Sequence, residues 1–145
     1  MKKIVIPFIV LITLQSYSQV KISDILAYEY NNGNNTFTTN VVGKQSIDIE
    51  GSGNQTLIIV KLNRIPNVDY KYTERKLKVT AFYEGKDKVD VYDNQEQIIS
   101  YISETFYVPL IIQAGTTDIT IKAELYEEDK LVSTKKQFLV TWSGD

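Results

Sequence analysis

Residues 118–126 read Asp-Ile-Thr-Ile-Lys-Ala-Glu-Leu-Tyr, and this stretch decides the fold prediction. Apolar side chains occupy every second position from Ile119 to Leu125, and polar side chains lie between them. Successive side chains of a β-strand point to opposite faces, so this period of two predicts a half-buried strand. The polar segment 127–130 ends it.

One further strand is predicted on each side of this one. Residues 105–113 place Phe106, Val108, Leu110 and Ile112 on one face, and residues 131–142 do the same with Phe138, Val140 and Trp142. Three consecutive strands with short polar links predict an antiparallel meander. Pro109 lacks an N–H group, so its strand must be an edge strand or carry a bulge.

Further strands are predicted upstream. They cover residues 20–30, 36–42, 45–50, 56–62, 76–83 and 89–93. The apolar spacing slips between Ile22 and Ile25, which indicates a bulge. Residues 56–62 are almost continuously apolar, which is typical of a central strand. Residues 94–103 fit a short capped helix or a strand, and we favour a strand or irregular segment because so short a helix is marginal.

About seven to eight strands at intervals of roughly 8–12 residues predict an all-β fold, an antiparallel β-sandwich that forms a single domain over residues 19–145. The layout resembles the immunoglobulin-like and fibronectin-like domains of exported proteins. The Cys…Trp…Cys pattern of antibody domains is absent. The resemblance implies an architecture and leaves the function to be argued from sites.

The N-terminus predicts export. A lysine pair precedes an apolar run over residues 4–14, and the small residues Ser16 and Ser18 precede Gln19. This order is that of a signal peptide, here residues 1–18, and the run is too short for a transmembrane anchor, which needs about 20 residues. The segment resembles signal peptides of Bacteroidota envelope proteins, which implies a location in the periplasm, outside the cell or at the cell surface.

Composition excludes several functions. The 145-residue chain has no His and no Cys, so Ser-His-Asp catalysis, Cys-His catalysis and Cys/His zinc sites are impossible. A net charge of −2 without a basic cluster argues against nucleic acid and anionic membranes as partners. We expect a protein that is not an enzyme and has no cofactor.

Two groups of acidic residues are candidate sites. Asp87, Asp90, Asp93 and Glu96 are a weak calcium candidate, because calcium takes about 6–8 oxygen ligands, but a solvated turn explains them better. The carboxylates of Glu124 and residues 127–129 resemble the pair that a glycosidase needs. An exposed hairpin tip is the favoured interpretation of that group.

Tyrosines form the third candidate. The chain has 10 Tyr, and Tyr70, Tyr72, Tyr92 and Tyr101 recur through its middle. Tyrosine suits binding surfaces because its ring buries apolar area while its hydroxyl stays wet. Tyrosine is also a good strand residue, so exposure decides between a binding role and a structural one.

These observations predict an exported, non-enzymatic binding or assembly module of the bacterial cell envelope. It would be an accessory subunit that contacts another envelope or secretion protein through loops or an edge strand. The alternative is a carbohydrate-binding or adhesin-like domain that binds a glycan with its surface tyrosines.

Overall fold

A computed structural model describes residues 18–31, 35–37, 42, 55–69, 71–84, 89–100, 103–113 and 119–139. These ranges contain strands, turns and loops, and no helix. The strands are β1 (Val20–Asn31), β2 (Thr36–Phe37), β3 (Gln55–Arg64), β4 (Arg75–Glu84), β5 (Val89–Ile99), β6 (Thr105–Gln113), β7 (Ile119–Glu127) and β8 (Lys130–Leu139). No described helix is long and apolar enough to cross a membrane.

The strands form two four-stranded sheets that share one core. The first sheet has the order β2-β1-β3-β6 and the second the order β5-β4-β7-β8, and every pairing is antiparallel. The chain crosses between sheets after β3, after β5 and after β6. The all-β, two-sheet prediction is therefore confirmed.

The predicted meander of β6, β7 and β8 is wrong. β6 pairs with β3 in the first sheet, whereas β7 lies between β4 and β8 in the second. Alternation tells which side chains share a face of a strand, but it does not tell which strand lies beside it. β6 and β7 therefore lie in different sheets and are not a hairpin, whereas β7 and β8 pair as predicted.

The inner faces of both sheets supply a single apolar core. β7 contributes all four predicted residues, and β3 is a central strand between β1 and β6, as predicted. The predicted bulge in β1 is confirmed by a register shift between Ile22 and Asp24. The largest fully enclosed aliphatic side chains of the described residues are Ile25, Ile58, Leu62, Leu77, Ile112, Ile119, Ile121 and Leu125.

β8 faces the opposite way to the prediction. Phe138 is 53% exposed on the outer face, and Leu139 is buried in its place. Towards the first sheet β8 presents polar side chains, Ser133 and Lys135, which bond to β1. Phe138 pairs with Thr120, which lies on the outer face of β7, and Leu139 pairs with the buried Ile119, so the register with β7 turns Phe138 outwards. The other two residues of the predicted face, Val140 and Trp142, lie outside the described residues.

Residues 94–99 continue β5, which confirms the strand interpretation of that segment. β5 is one strand of 11 residues with a register shift opposite Ala81 and Phe82, where Tyr92 is the extra residue. The predicted strand over residues 45–50 lies outside the described residues, as does the predicted signal peptide up to residue 17.

Candidate functional site

The edge of β1 is covered by side chains of β8. The backbone N–H of Ile22 donates to Ser133 Oγ at 3.0 Å, and Lys135 Nζ donates to the carbonyl of Ser23 at 2.8 Å. Lys135 also lies 3.3 Å from Asp24 Oδ1. These bonds use polar backbone groups at the bulge of β1, so those groups are not available to a further strand.

The edge of β6 is protected in another way. Pro109 has no N–H to offer to a partner, and it lies opposite Ile59 in the last strand of the first sheet. Gln95 Nε2 reaches across from β5 and donates to the carbonyl of Ile111 at 2.7 Å. An edge that lacks one donor and has one acceptor occupied is a poor template for strand addition. The edge-strand prediction for Pro109 is confirmed.

β5 is the longer of the two terminal strands of the second sheet. Its 11 residues contain no proline, and β4 pairs with it on one side alone. Three of its apolar side chains are largely exposed: Val89 at 58%, Val91 at 60% and Ile98 at 63%. A long edge with exposed apolar side chains is the geometry that accepts an added strand.

β8 is the other terminal strand of this sheet and has 10 residues. Leu131 and Phe138 are 51% and 53% exposed on its outer face. Sequence reasoning missed both edges as sites, because the pattern does not reveal which strands end a sheet. The sequence contains one signal of such a site, an apolar residue such as Ile98 on the otherwise polar face of a strand.

Cross-strand pairing sets the outward side chains of this sheet in rows. One row runs Val91, Phe82, Thr120 and Phe138 from β5 to β8. A second row runs Ile98, Lys76, Tyr126 and Leu131. Each of these two rows therefore ends in an exposed apolar side chain at both edges of the sheet.

The predicted tyrosine surface is described in part. Tyr72 is 76% exposed in the loop before β4. Tyr70 and Tyr101 lie outside the described residues, as does the side chain of Tyr92. Tyr107 is 52% exposed on β6, with Lys61 Nζ 5.9 Å from its ring centroid. Tyr72 and Tyr107 thus belong to different elements, and Tyr72 is the one predicted tyrosine whose side chain lies within the described residues.

The calcium candidate is spread along β5. Asp87 lies outside the described residues, and the described ranges contain no group of three or more acidic side chains placed to hold a metal ion. Asp93 lies opposite the inward Ala81, whereas Glu96 lies opposite Lys78 on the outer face. The Asp93 carboxylate accepts hydrogen bonds from its neighbours, the backbone N–H of Asn94 and the amide of Gln95, both at 2.8 Å.

The second acidic group divides between the sheet and a hairpin tip. Glu124 forms an ion pair with Lys122 at 2.6 Å, and Glu127 forms one with Arg75 at 2.9 Å. Glu128 and the following Asp129 are exposed at the turn between β7 and β8, as the hairpin interpretation predicted.

An open depression of about 570 Å³ lies between residues 63–68 and residues 104–105. The backbone N–H of Arg64 donates to the carbonyl of Glu104 at 3.0 Å and joins the two segments. The lining presents one Arg and one Glu, so its charges balance and favour neither anions nor cations.

No protein-family model matches this chain, and a search of curated proteins found no significant match. The candidate site consequently rests on the geometry of the sheet edges.

Proposed function

We propose that this chain is an exported, non-enzymatic binding and assembly module of the bacterial cell envelope, which contacts another envelope or secretion protein by strand addition at the outer edge of β5. The observation that carries the proposal is the contrast between edges. Side chains of β8 cover part of the β1 edge, and Gln95 occupies a carbonyl group of the β6 edge. The β5 edge, in contrast, has 11 residues with exposed apolar side chains. Backbone hydrogen bonds would supply affinity, and the side chains would supply specificity.

We also assign the sandwich to the immunoglobulin-like and fibronectin-like group. The first sheet contains β1, β3 and β6, and the second contains β4, β7 and β8, which are the places of strands A, B, E and C, F, G. β5 pairs with β4 and not with β6, so it takes the place of strand C′. Domains of this group commonly serve recognition at cell surfaces, which supports a binding role by analogy.

Export is part of the proposal, and the contacts of Gln19 support it. The carbonyl of Gln19 accepts a hydrogen bond from the N–H of Ile65 at 2.9 Å, and its side-chain oxygen accepts one from the N–H of Lys71 at 2.9 Å. A cut before Gln19 keeps these bonds and the whole core. N-terminal sequencing of the exported protein should therefore begin at Gln19, and an intact Met1 would contradict export by this signal.

The proposal is tested by cross-linked affinity capture from the native envelope. Wild type should retain a stoichiometric envelope protein, and Val91→Glu should lose it, because the new carboxylate lies on the β5 edge. The matched control is Ile111→Glu, since Ile111 is 57% exposed on the protected β6 strand. The proposal would be overturned if both variants lost the captured protein, or if wild type captured nothing above background.

The exposure of Tyr72 supports a second candidate, a glycan-binding or adhesin-like domain. An aromatic ring that is 76% exposed can stack on the apolar face of a sugar. Glycan-array binding that Tyr72→Ala abolishes and Tyr107→Ala leaves intact would favour this candidate. A blank array with intact capture at β5 would eliminate it.

A further inference from the structure

The two terminal strands of the second sheet are matched in length and opposite in direction. β5 has 11 residues and β8 has 10, and each step through β5-β4-β7-β8 is antiparallel. Three antiparallel steps make β5 and β8 run in opposite directions. A second molecule placed beside the first in the same orientation would therefore set its β5 antiparallel to β8, as an ordinary ladder requires.

We propose that copies of this chain join head to tail, with the outer edge of β8 of one copy adding to the outer edge of β5 of the next. This inference rests on the proposed function, because it uses the same β5 edge: within a run of copies the occupant is a second copy of the chain, and the β5 left free at the end of the run remains for the other envelope protein. The second sheet would continue from molecule to molecule through eight strands per pair of copies.

Charge distinguishes this pairing from the alternatives. β5 carries three carboxylates, on Asp90, Asp93 and Glu96, and no Lys or Arg. β8 carries three lysines and no Asp or Glu. Like charges on facing strands destabilise a pair and opposite charges stabilise it. β5 against β5 and β8 against β8 are thus disfavoured, and β8 against β5 is favoured.

Two of the three lysines of β8 are exposed and can contact the acidic strand of the next copy. Lys130 and Lys136 are exposed, whereas Lys135 is held against β1. In the single molecule Lys136 Nζ lies 3.2 Å from Glu84 and 5.5 Å from the ring centroid of Phe82, so its ammonium group faces β4. Both side chains of the ion pair are more than half exposed, so this pair is weak and can be exchanged for one at the outer edge. In the continued sheet Lys136 is a diagonal neighbour of Glu96 of the next copy, within reach of its long side chain.

The apolar side chains at the two edges are also in register. Val91 and Phe138 end one row of the sheet, and Ile98 and Leu131 end another. Continuing these rows brings Phe138 onto Val91 of the next copy and Leu131 onto Ile98 of the next copy. Each contact covers side chains that are 51–63% exposed in the single molecule. Such apolar cross-strand pairs add to the backbone ladder.

The geometry makes the contact heterologous. Each joined pair still has one free β5 and one free β8, so growth continues unless the rotation closes a ring. We expect a weight-average mass that rises with protein concentration, and an association that weakens as salt screens the charges.

Sedimentation of protein purified from cells that express the full 145-residue chain tests the inference. Val91→Lys blocks β5 and Phe138→Glu blocks β8, because each replaces an apolar contact with a charge of the same sign as those on the facing strand. Either change should weaken self-association about tenfold or more, the equivalent of roughly 1.4 kcal/mol. Ile111→Glu on the protected β6 strand is the control and should associate like wild type.

Mixing the two blocked variants gives the decisive result. The free β8 of Val91→Lys fits the free β5 of Phe138→Glu, so an equimolar mixture should form dimers that do not grow. A wild-type protein that stays monomeric up to on the order of 1 mM, where even a contact of about −4 kcal/mol would show, overturns the inference. Equal association of both blocked variants and wild type overturns it as well.

The experiments distinguish failure of head-to-tail association from failure of the proposed function. A monomeric protein that still captures an envelope partner through a β5 edge sensitive to Val91→Glu contradicts self-assembly alone. Self-association without any envelope partner contradicts the contact with another protein and leaves the head-to-tail contact standing.

Discussion

Arg75 Nε donates a hydrogen bond to Glu127 Oε1 at 2.9 Å, from a side chain that is completely buried. The two residues face each other where β4 pairs with the end of β7. The guanidinium also donates to the carbonyl of Thr73 at 3.0 Å and to Gln19 Oε1 at 3.2 Å. A buried guanidinium is tolerated here because its donors have acceptors and one partner carries the opposite charge.

Removing Glu127, the partner of Arg75, should destabilise the fold. We expect Glu127→Ala to lower the free energy of unfolding by about 3 kcal/mol, since it leaves a buried cation without its counter-ion. Urea denaturation measures the change. The control is Glu84→Ala, which removes the surface partner of Lys136 and should cost about 0.5 kcal/mol or less. Equal losses in the two variants would show that Arg75 does not depend on Glu127.

A second prediction concerns the two faces of the hairpin β7–β8. Leu125 is fully buried in the core, and Leu131 is 51% exposed on the outer face. Leu125→Ala should lower the free energy of unfolding by about 3 kcal/mol, because it leaves a cavity between the sheets. Leu131→Ala should stay within about 0.5 kcal/mol in dilute protein. Thermal or urea unfolding followed by circular dichroism compares them, and similar losses would contradict the assigned faces.

The sequence predicts well where one physical signal dominates. Alternation identified the inner face of β7, and the slip after Ile22 identified the bulge, because both signals are local. The face of β8 was wrong because Phe138 pairs with the outer-face Thr120 of β7, after a register shift between Leu125 and Tyr126 that the alternation of β8 does not reveal. The candidate edges were invisible for the same reason, since the order of strands in a sheet is set by long-range pairing.

A third prediction tests the protection of the β6 edge. Pro109→Val restores a backbone N–H, and Gln95→Ala frees the carbonyl of Ile111. In a Val91→Lys background, where the β5 edge is already blocked, the two changes together should produce new association, because β6 becomes a template for pairing. Light scattering against protein concentration measures it.

The control for that experiment is Gln97→Ala in the same background. Gln97 belongs to the same strand and the same face as Gln95, and it is exposed. Its removal leaves the bond to the Ile111 carbonyl in place. A protein that stays monomeric after both edge changes would mean that β6 is not held closed by Pro109 and Gln95.

A fourth prediction concerns the turn between β7 and β8. Glu128 and Asp129 have φ values of 48° and 61°, and the flanking Glu127 and Lys130 are paired, so this is a two-residue hairpin with both central residues left-handed. Such turns favour Asn-Gly, because Gly, Asn and Asp tolerate the left-handed conformation, whereas Glu128 is strained there. Replacing the pair with Asn-Gly should raise the free energy of unfolding by about 1 kcal/mol.

The Asn-Gly change also removes the ion pair between Lys76 and Asp129, which measures 3.7 Å with Asp129 94% exposed. That pair is worth little, so the backbone effect should prevail. An Ala-Ala replacement is the matched control, since it loses the same ion pair without relieving the left-handed conformation. Urea denaturation should therefore rank Asn-Gly above wild type and Ala-Ala at or below it, and the reverse order would mean that the acidic side chains themselves stabilise the turn.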